Sequence, residues 1–323
     1  MILVTGANGL VGSCVCAHFI SKGYNVRALI RKNSDTSLLN HLSKDLDFFI
    51  GDITDSGSLL DAMVGVEYVV HTAAIVSFWN KKNDDMYQTN VIGTRNLVDV
   101  CLEHTIKKFI HVSSIAAIGR KPSDTFVNET NTWEDSSLNS YYAQSKHQAE
   151  IEVYRGIEEG LAASVVNPSI ILGPGLDSSI SVRLFRYVSQ KNKFYTDGFL
   201  NYVDVRDVAE AIDKLLFDPH TNGERYILNG GTTSYKNFFA EVAGVLNVAP
   251  PSIKATNFMR QVVWRFEAFK SFFTGKEPLI TKTTAKTASN KIEYVSDKII
   301  TTTAMRFKPL HETVEWTCKN LFN

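Results

Sequence analysis

Hydrophobic and polar positions alternate between two periods along the first two-thirds of the chain. Short runs rich in β-branched and aromatic residues fall at 2–4, 26–30, 47–50, 68–71, 109–112 and 163–166. Their near-continuous apolar character predicts strands buried on both faces. Stretches with helical spacing lie between and after them: 10–22, 58–64 behind a cap at Asp55, 84–104, and 139–159, which Gly160 ends. Strand and helix in alternation predict an α/β fold, a doubly wound parallel sheet covered by helices. Beyond Val166 the pattern changes. Residues 167–175 hold Pro168, Gly173, Pro174 and Gly175 and read as a loop leaving the sheet. Residues 207–217 read as a helix and 226–228 as a short strand. In 258–273, Phe258, Val262, Val263, Phe266, Phe269 and Phe273 recur at helical spacing. The expectation is a stripe facing the core or a lid. Arg260, Arg265 and Lys270 leave a membrane-surface helix as the alternative. Residues 281–287, rich in Thr and Lys, read as a connection.

Composition narrows the class. The 323 residues, 44% hydrophobic and 21% charged, fit a globular chain of about two domains, or one large domain with an annex. With 34 basic and 34 acidic residues the formal net charge is zero, which excludes the basic footprint of a nucleic-acid binder. The balance hides an asymmetry. Residues 252–323 carry 12 Lys and Arg against 6 Asp and Glu, net +6, and the rest is net −6. Basic faces on surface helices explain this, as does a basic lining for an anionic ligand. Cys14, Cys16, Cys101 and Cys318 have no zinc or framework spacing, so reduced thiols and a cytoplasmic location are expected, with no metal. Met1 to Gly6 reads as a strand and a turn rather than a signal peptide. No apolar run reaches the ~18 residues of a membrane span.

The first strand–helix junction holds the clearest chemistry. Thr5-Gly6-Ala7-Asn8-Gly9-Leu10-Val11-Gly12 places glycines where a tight turn, close approach of a pyrophosphate and close helix–strand packing need them. The helix N-terminus adds free N–H groups and partial positive charge. This is a dinucleotide site. The second strand ends at Ile30, followed by Arg31 and Lys32, and the first acid after it is Asp35. A carboxylate there would hold a ribose 2′-OH and repel a 2′-phosphate, whereas a guanidinium pairs with that phosphate. NADP(H) is therefore favoured, with NAD(H) the alternative if Arg31 and Lys32 are merely solvated. Asp52, after the third strand, reads equally as a partner of the adenine amino group or as a cap of the next turn.

Tyr142 and Lys146 lie four apart on one helix face. A phenol near pKa 10 needs help to exchange protons at neutral pH, and an ammonium stabilises its phenolate. Lys146 also suits a bond to the nicotinamide ribose. Ser113 or Ser114, at the end of the preceding strand, suits a bond to a substrate carbonyl oxygen. The spacing alone is weak, because Tyr187/Lys191 and Tyr294/Lys298 share it. Only Tyr142 follows a strand ending in two serines, and ligands of such sheets bind at the carboxyl ends of the strands.

These motifs make the chain resemble the extended short-chain dehydrogenase/reductases, in the NAD(P)-dependent epimerase/dehydratase group and its dihydroflavonol reductase-like branch. Carrying the resemblance are Thr5 to Gly12, Asp52-Ile53, His71-Thr72-Ala73-Ala74, Asn90-Val91-Ile92-Gly93-Thr94, Val112-Ser113-Ser114, Tyr142 to Lys146, Asn167-Pro168-Ser169 and Tyr202 to Ala209. They occur in family order over about residues 1–235. The resemblance implies that Ser114, rather than Ser113, is the catalytic serine beside Tyr142 and Lys146. It implies that Asn90 positions Lys146 through water. Gly6, Asn8, Gly9, Leu10, Val11, Gly12, Asp52, Ile53, Ala73, Ala74, Pro168 and Ser169 would line the cofactor with Arg31 and Lys32. Asp204 and Asp207 would be structural. It also implies a Rossmann domain over 1–170 and 200–232, and an interleaved, smaller mixed α/β substrate region over 171–199 and 233–323. The family often dimerises through the helices at 84–104 and 139–159, which implies a homodimer.

The expected activity is hydride transfer between NADP(H) and a ketone, aldehyde or secondary alcohol of small-molecule size. The segment Ile170-Ile171-Leu172-Gly173-Pro174-Gly175 is apolar and lacks the Arg usual in sugar-nucleotide members. Ile75-Val76-Ser77-Phe78-Trp79 offers further apolar lining. Alternatives are a sugar-nucleotide epimerase, dehydratase or reductase, a hydroxysteroid dehydrogenase, and a non-catalytic NADP(H) sensor. His71 and His111 read as packing residues.

Overall fold

The computed structural model describes residues 1–121, 123–136, 139–177, 179–274, 277, 278, 281 and 291–322; the connection expected at 281–287 falls outside them from 282 onward, as do the side chains of Arg260 and Lys270. The chain begins β1 (Ile2–Thr5), α1 (Leu10–Ser21), β2 (Val26–Ile30), β3 (Leu46–Ile50), α2 (Ser56–Ala62) and β4 (Tyr68–His71). It continues with α3 (Asn83–Met86), α4 (Gly93–Glu103), β5 (Lys108–Val112), β6 (Phe126–Val127), α5 (Tyr141–Glu158), β7 (Ala163–Pro168) and β8 (Ile170–Leu172). Then come α6 (Ile180–Ser189), β9 (Phe194–Tyr195), β10 (Phe199–Asp204), α7 (Val205–Leu216), β11 (Arg225–Leu228), β12 (Gly231–Ser234) and α8 (Tyr235–Leu246). The last elements are β13 (Ile253–Lys254), α9 (Asn257–Thr274), β14 (Glu293–Tyr294), α10 (Asp297–Thr303) and α11 (Leu310–Phe322).

Seven strands form one parallel sheet in the order β11-β7-β5-β4-β1-β2-β3. The order reverses between β1 and β4, which opens a crevice at their carboxyl ends. Alternation along β1 divides the core. Ile2 and Val4 pack with Val15 and Phe19 of α1 and Val208 and Ile212 of α7. Leu3 packs on the other face with Leu59, Leu97, Val98 and Val153 of α2, α4 and α5. The expected doubly wound α/β fold is the one observed.

A second, three-stranded sheet, β12-β10-β8, packs against α6, α8 and α11 through Leu172, Phe185, Leu200, Phe238 and Val314. Residues 167–175 are therefore not simply a loop: β7 runs on to Pro168, and Ile170 to Leu172 pair with Tyr202 to Asp204. Glycine and proline mark where the chain turns, but the three apolar residues between them are enough for a strand. Asp204 caps α7 by accepting from the Arg206 N–H at 2.8 Å, and Asp207 accepts from the Lys308 N–H and Nζ, each at 2.8 Å.

Two helical expectations need correction. Residues 84–104 are not one regular helix. Between α3 and α4 the chain widens into a π turn over Tyr87–Ile92, a feature common at functional sites. Gly93 sits there because a Cβ would come 2.6 Å from Ile53 Cδ1. Among the described residues the stripe of α9 faces no core, since Phe258 is 78% exposed and Phe273 70%. The reason is topological: α1, α2, α4, α5 and α7 fill both faces of the large sheet, and α6, α8 and α11 cover the small one. Among the described residues no sheet face is left for α9.

The centre of the large sheet holds two polar rings. His71 and His111 are register partners on β4 and β5, both fully buried, with ring centroids 5.2 Å apart. Burial and then the Lys146 charge push His71 down to about 3 and His111 well below the ordinary histidine range. Unfolding lets both rings take up protons below about 6.5. The stability contributed by neutral rings is thus complete above about pH 6.5 and is lost as pH falls toward the folded values. Urea unfolding should show stability falling by up to roughly 1.4 kcal/mol per pH unit for each ring below that point. A flat profile from about pH 7 to about pH 5 would contradict neutral burial.

Candidate active site

The turn after β1 is shaped for a pyrophosphate. Gly6 has φ +65°, and a Cβ there would come 2.6 Å from Ala73 Cα. A Cβ on Gly12 would come 2.3 Å from the Gly6 carbonyl oxygen. The Gly9 N–H closes the turn on Gly6 O at 3.0 Å, and Gly9 caps α1 without any side-chain acceptor. The first N–H groups of α1, from Leu10 to Gly12, are left for an anion. Asn8 Nδ2 donates to the Asp35 carbonyl at 3.1 Å, tying the turn to the loop after β2, and Val11 packs into the core. These residues fit a dinucleotide.

A cleft of about 510 Å³ is walled by Arg31, Asp52, Thr54, Ser77, Lys82 and Glu277 among others. Its walls follow the carboxyl ends of β2, β3 and β4. Arg31 and Lys32 are exposed, and among the described residues neither has an ion-pair partner. Asp52 Oδ1 accepts from the Thr54 N–H at 2.9 Å and hydroxyl at 2.8 Å, so the turn role expected for it is occupied. Ile53 follows Asp52 out of the third strand. Its side chain is buried against Gly93, and its carbonyl accepts from Asn96 Nδ2 at 3.2 Å. Its side chain thus supports α4.

A chain of hydrogen bonds links this cradle to α5. The Ala73 N–H donates to Thr5 Oγ1 at 3.3 Å, and Thr5 Oγ1 lies 2.7 Å from His71 Nδ1. His71 Nε2 lies 2.9 Å from Thr94 Oγ1, whose hydroxyl donates to the Asn90 carbonyl at 2.6 Å. With Thr94 spending its proton on Asn90, His71 must donate from Nε2 and accept at Nδ1. Asn90 then grips the loop after β4: Oδ1 accepts from the Ile75 N–H at 2.7 Å and Nδ2 donates to Ile75 O at 2.9 Å. Its remaining donor goes to Ser145 Oγ at 3.0 Å. Both amide protons are committed, and through Ser145 Asn90 reaches α5.

Ser140 caps α5 by accepting from the Ala143 N–H at 3.1 Å. One turn in, Tyr142 faces the Ser114 hydroxyl and meets Phe78 edge-on at 5.9 Å. Burial pushes its phenol above the ordinary tyrosine range, and Ser114 opposes that. Ser114 Oγ accepts from the Ala116 N–H at 3.1 Å and keeps its own proton for another partner. Lys146 is buried, with Nζ donating to the Val112 carbonyl at 3.0 Å. Burial lowers its ammonium to about 8, against the pull of Glu150. Pro168 ends β7, and the Ser169 N–H donates to Leu228 O at 2.9 Å beside it; Ala74 follows Ala73 on the rim. The fold thus gathers Ser114, Tyr142 and Lys146 at one strand edge. The other Tyr/Lys pairs are engaged elsewhere: Tyr187 donates to Phe194 O at 2.8 Å, and Tyr294 accepts from Arg120 at 3.0 Å. Among the described residues no cluster of His, Cys, Asp and Glu could hold a metal, and all four cysteines are free thiols.

Residues 2–230 match the model of the NAD dependent epimerase/dehydratase family. The chain belongs to that family. It is 33% identical over 254 residues to a Synechocystis sp. protein provisionally named dihydroflavonol 4-reductase, covering 77% of this chain and 73% of that one. It is 30% identical over 243 residues to cinnamoyl-CoA reductase 1 of Petunia hybrida, covering 70% and 72%. The crystal structure of gox2253 superposes with a TM-score of 0.83 at 31% identity, over 99% of this chain and 97% of that one. The protein is accordingly an NAD(P)-dependent enzyme of the extended short-chain dehydrogenase/reductase group, acting on CH–OH or carbonyl groups.

Within this family frame, Glu150 is the residue that sequence reasoning missed. It lies one turn beyond Lys146 and two beyond Tyr142, so helical spacing alone marks it. It is buried, accepts from Asn167 Nδ2 at 2.5 Å, and lies 3.9 Å from Arg225. The other Asn167 donor reaches the Ser114 carbonyl at 3.0 Å. Burial raises the Glu150 carboxyl, while Ser113, Asn167, Arg225 and Lys146 draw it back. In Glu150→Gln the Lys146 ammonium loses its counter-charge and should titrate below about 8. The alkaline limb of turnover should move to lower pH in Glu150→Gln and stay in place in Glu150→Asp. An unmoved limb in the Gln variant would remove Glu150 from the proton chemistry.

Proposed function

We infer that the protein is an NADP(H)-dependent reductase of apolar ketones or aldehydes, working in reverse as an alcohol dehydrogenase. The reading rests on Ser114, Tyr142 and Lys146 meeting at the strand edge beside the glycine cradle. Bound NADPH supplies the hydride that reduces the carbonyl carbon. Ser114 donates a hydrogen bond to the carbonyl oxygen and holds it against Tyr142. Tyr142 gives that oxygen its proton, which completes the alcohol. The Lys146 charge stabilises the phenolate left behind. Apolar lining from Ile75, Phe78 and Trp79 suits a substrate with little charge.

Residues 1–170 and 200–232 hold the cofactor in this reading, and 171–199 and 233–323 select the substrate. Preference for NADP(H) follows from Arg31, which among the described residues has no ion-pair partner and stands on the cleft wall where an NAD enzyme would present a carboxylate. A cytoplasmic homodimer through α4 and α5 belongs to the same reading.

Tyr142→Phe should lower NADPH-dependent reduction by roughly a hundredfold or more, the usual scale of general-acid loss. NADPH titration by fluorescence should remain close to wild type. Full turnover in this variant would defeat the assignment. Arg31→Ala should weaken NADPH by roughly tenfold and leave NADH unchanged, because only one of the two carries the charge that Arg31 pairs with. Equal weakening of both would refer Arg31 to packing.

A further inference from the structure

The main chain at Tyr142 is fixed from within α5. Ser145 Oγ donates to the Tyr142 carbonyl at 2.8 Å and accepts from Asn90 Nδ2 at 3.0 Å. Those bonds leave the side-chain torsions of the tyrosine free, and the torsions decide where the phenol points. The Ser114 hydroxyl meets the phenol at its far end. A bond at the tip does not by itself hold the ring that carries it.

Phe78 touches the ring itself. Its plane stands at 70° to that of Tyr142, with centroids 5.9 Å apart. Aromatic quadrupoles favour this edge-to-face arrangement, so the contact is directional as well as apolar. Phe78 can serve as a fixed stop because its own backbone is held. Asn90 binds both the N–H and the carbonyl of Ile75, at 2.7 and 2.9 Å. The hydroxyl of Ser77, a residue 3% exposed, accepts from the Trp79 N–H at 3.1 Å and so bridges the two residues that flank Phe78. Asn90 thus reaches Tyr142 twice, through Ser145 to its carbonyl and through the loop after Ile75 to its ring. The same short loop lines the cleft with Ile75, Val76 and Ser77.

We propose that Phe78 is a positioning residue for the proton transfer: its ring holds the Tyr142 phenol in line with Ser114, and residues 75–79 keep that ring in register with the cleft. This rests on the reductase reading of Tyr142 and gives Phe78 a task beyond lining the substrate.

The test is a double-mutant cycle on NADPH-dependent reduction of benzaldehyde and acetophenone, an apolar aldehyde and an apolar ketone. Phe78→Ala should lower kcat by roughly tenfold or more, since a reacting group displaced by about 1 Å costs up to about a hundredfold. The KM for the carbonyl and the NADPH titration should stay within about twofold of wild type. Tyr142→Phe keeps the ring and lacks the proton. On that background Phe78→Ala should cost less than about twofold, because no proton is left to aim. Phe78→Tyr, which keeps the ring edge, should restore kcat. Phe78→Leu fills the space without a ring and should still lose turnover; it takes the place of Phe78→Ala in the cycle if the alanine variant unfolds. The proposal fails if the Ala or the Leu variant keeps wild-type kcat. It fails equally if the loss is the same with and without the Tyr142 hydroxyl, which would make Phe78 a wall of the substrate pocket and nothing more. Full turnover in Tyr142→Phe, or none by the wild type on either carbonyl, overturns the reductase reading and the proposal with it.

Discussion

The ammonium of Lys146 is a positive charge held inside the protein, and much of the surrounding structure answers to it. Its neighbours are a strand-end carbonyl at Val112 and, one turn along α5, the carboxylate of Glu150. Neither would be buried without the other charges. Glu150 in turn needs Asn167 and Arg225, which come from β7 and β11. The charge therefore fixes how α5 lies across three strands of the sheet. Lowering its pKa to about 8 corresponds to roughly 3 kcal/mol spent on keeping the proton there at neutral pH. A neutral side chain of that size would pack more easily. In the proposed reaction that cost serves Tyr142, which releases its proton one helical turn away.

The second device is the hydrogen-bond chain from Ala73 through Thr5, His71, Thr94 and Asn90 to Ser145. It crosses two strands and two helices and touches both the cofactor cradle and the helix bearing Tyr142. Every proton along it has one direction, because His71 is neutral and Thr94 has only one hydroxyl proton. A chain of this kind orients groups more than it binds them. It couples the position of the glycine turn to that of α5 without any charge in between.

Much of this was legible in the sequence. Strands and the glycine turn are local: a short apolar run or a glycine at a fixed offset carries its own physics. Ser114, Tyr142 and Lys146 were legible from spacing combined with strand order. The roles of Ile53 and Asn90 were not, since both depend on which side chain sits opposite, Gly93 in one case and Ile75 with Ser145 in the other. Periodicity named the face of α9 correctly and its surroundings wrongly. A helical period says which residues share a side, but what covers that side is decided by how many faces the sheets have left. The strand at Ile170–Leu172 escaped for a related reason, because its partners lie 32 residues further on, in β10. Substrate identity depends on the later, less patterned part of the chain.

Gly6 bears on the width of the crevice. The turn after β1 and the backbone after β4 touch where a methyl group would have to stand, 2.6 Å from Ala73 Cα. The missing carbon is what lets the two strand ends close to their present distance. Any side chain at that position would act as a wedge at the hinge of the reversal, spreading the two halves of the sheet apart at their mouth. The gap into which a nucleotide must fit is in this sense measured out by the smallest residue in the chain.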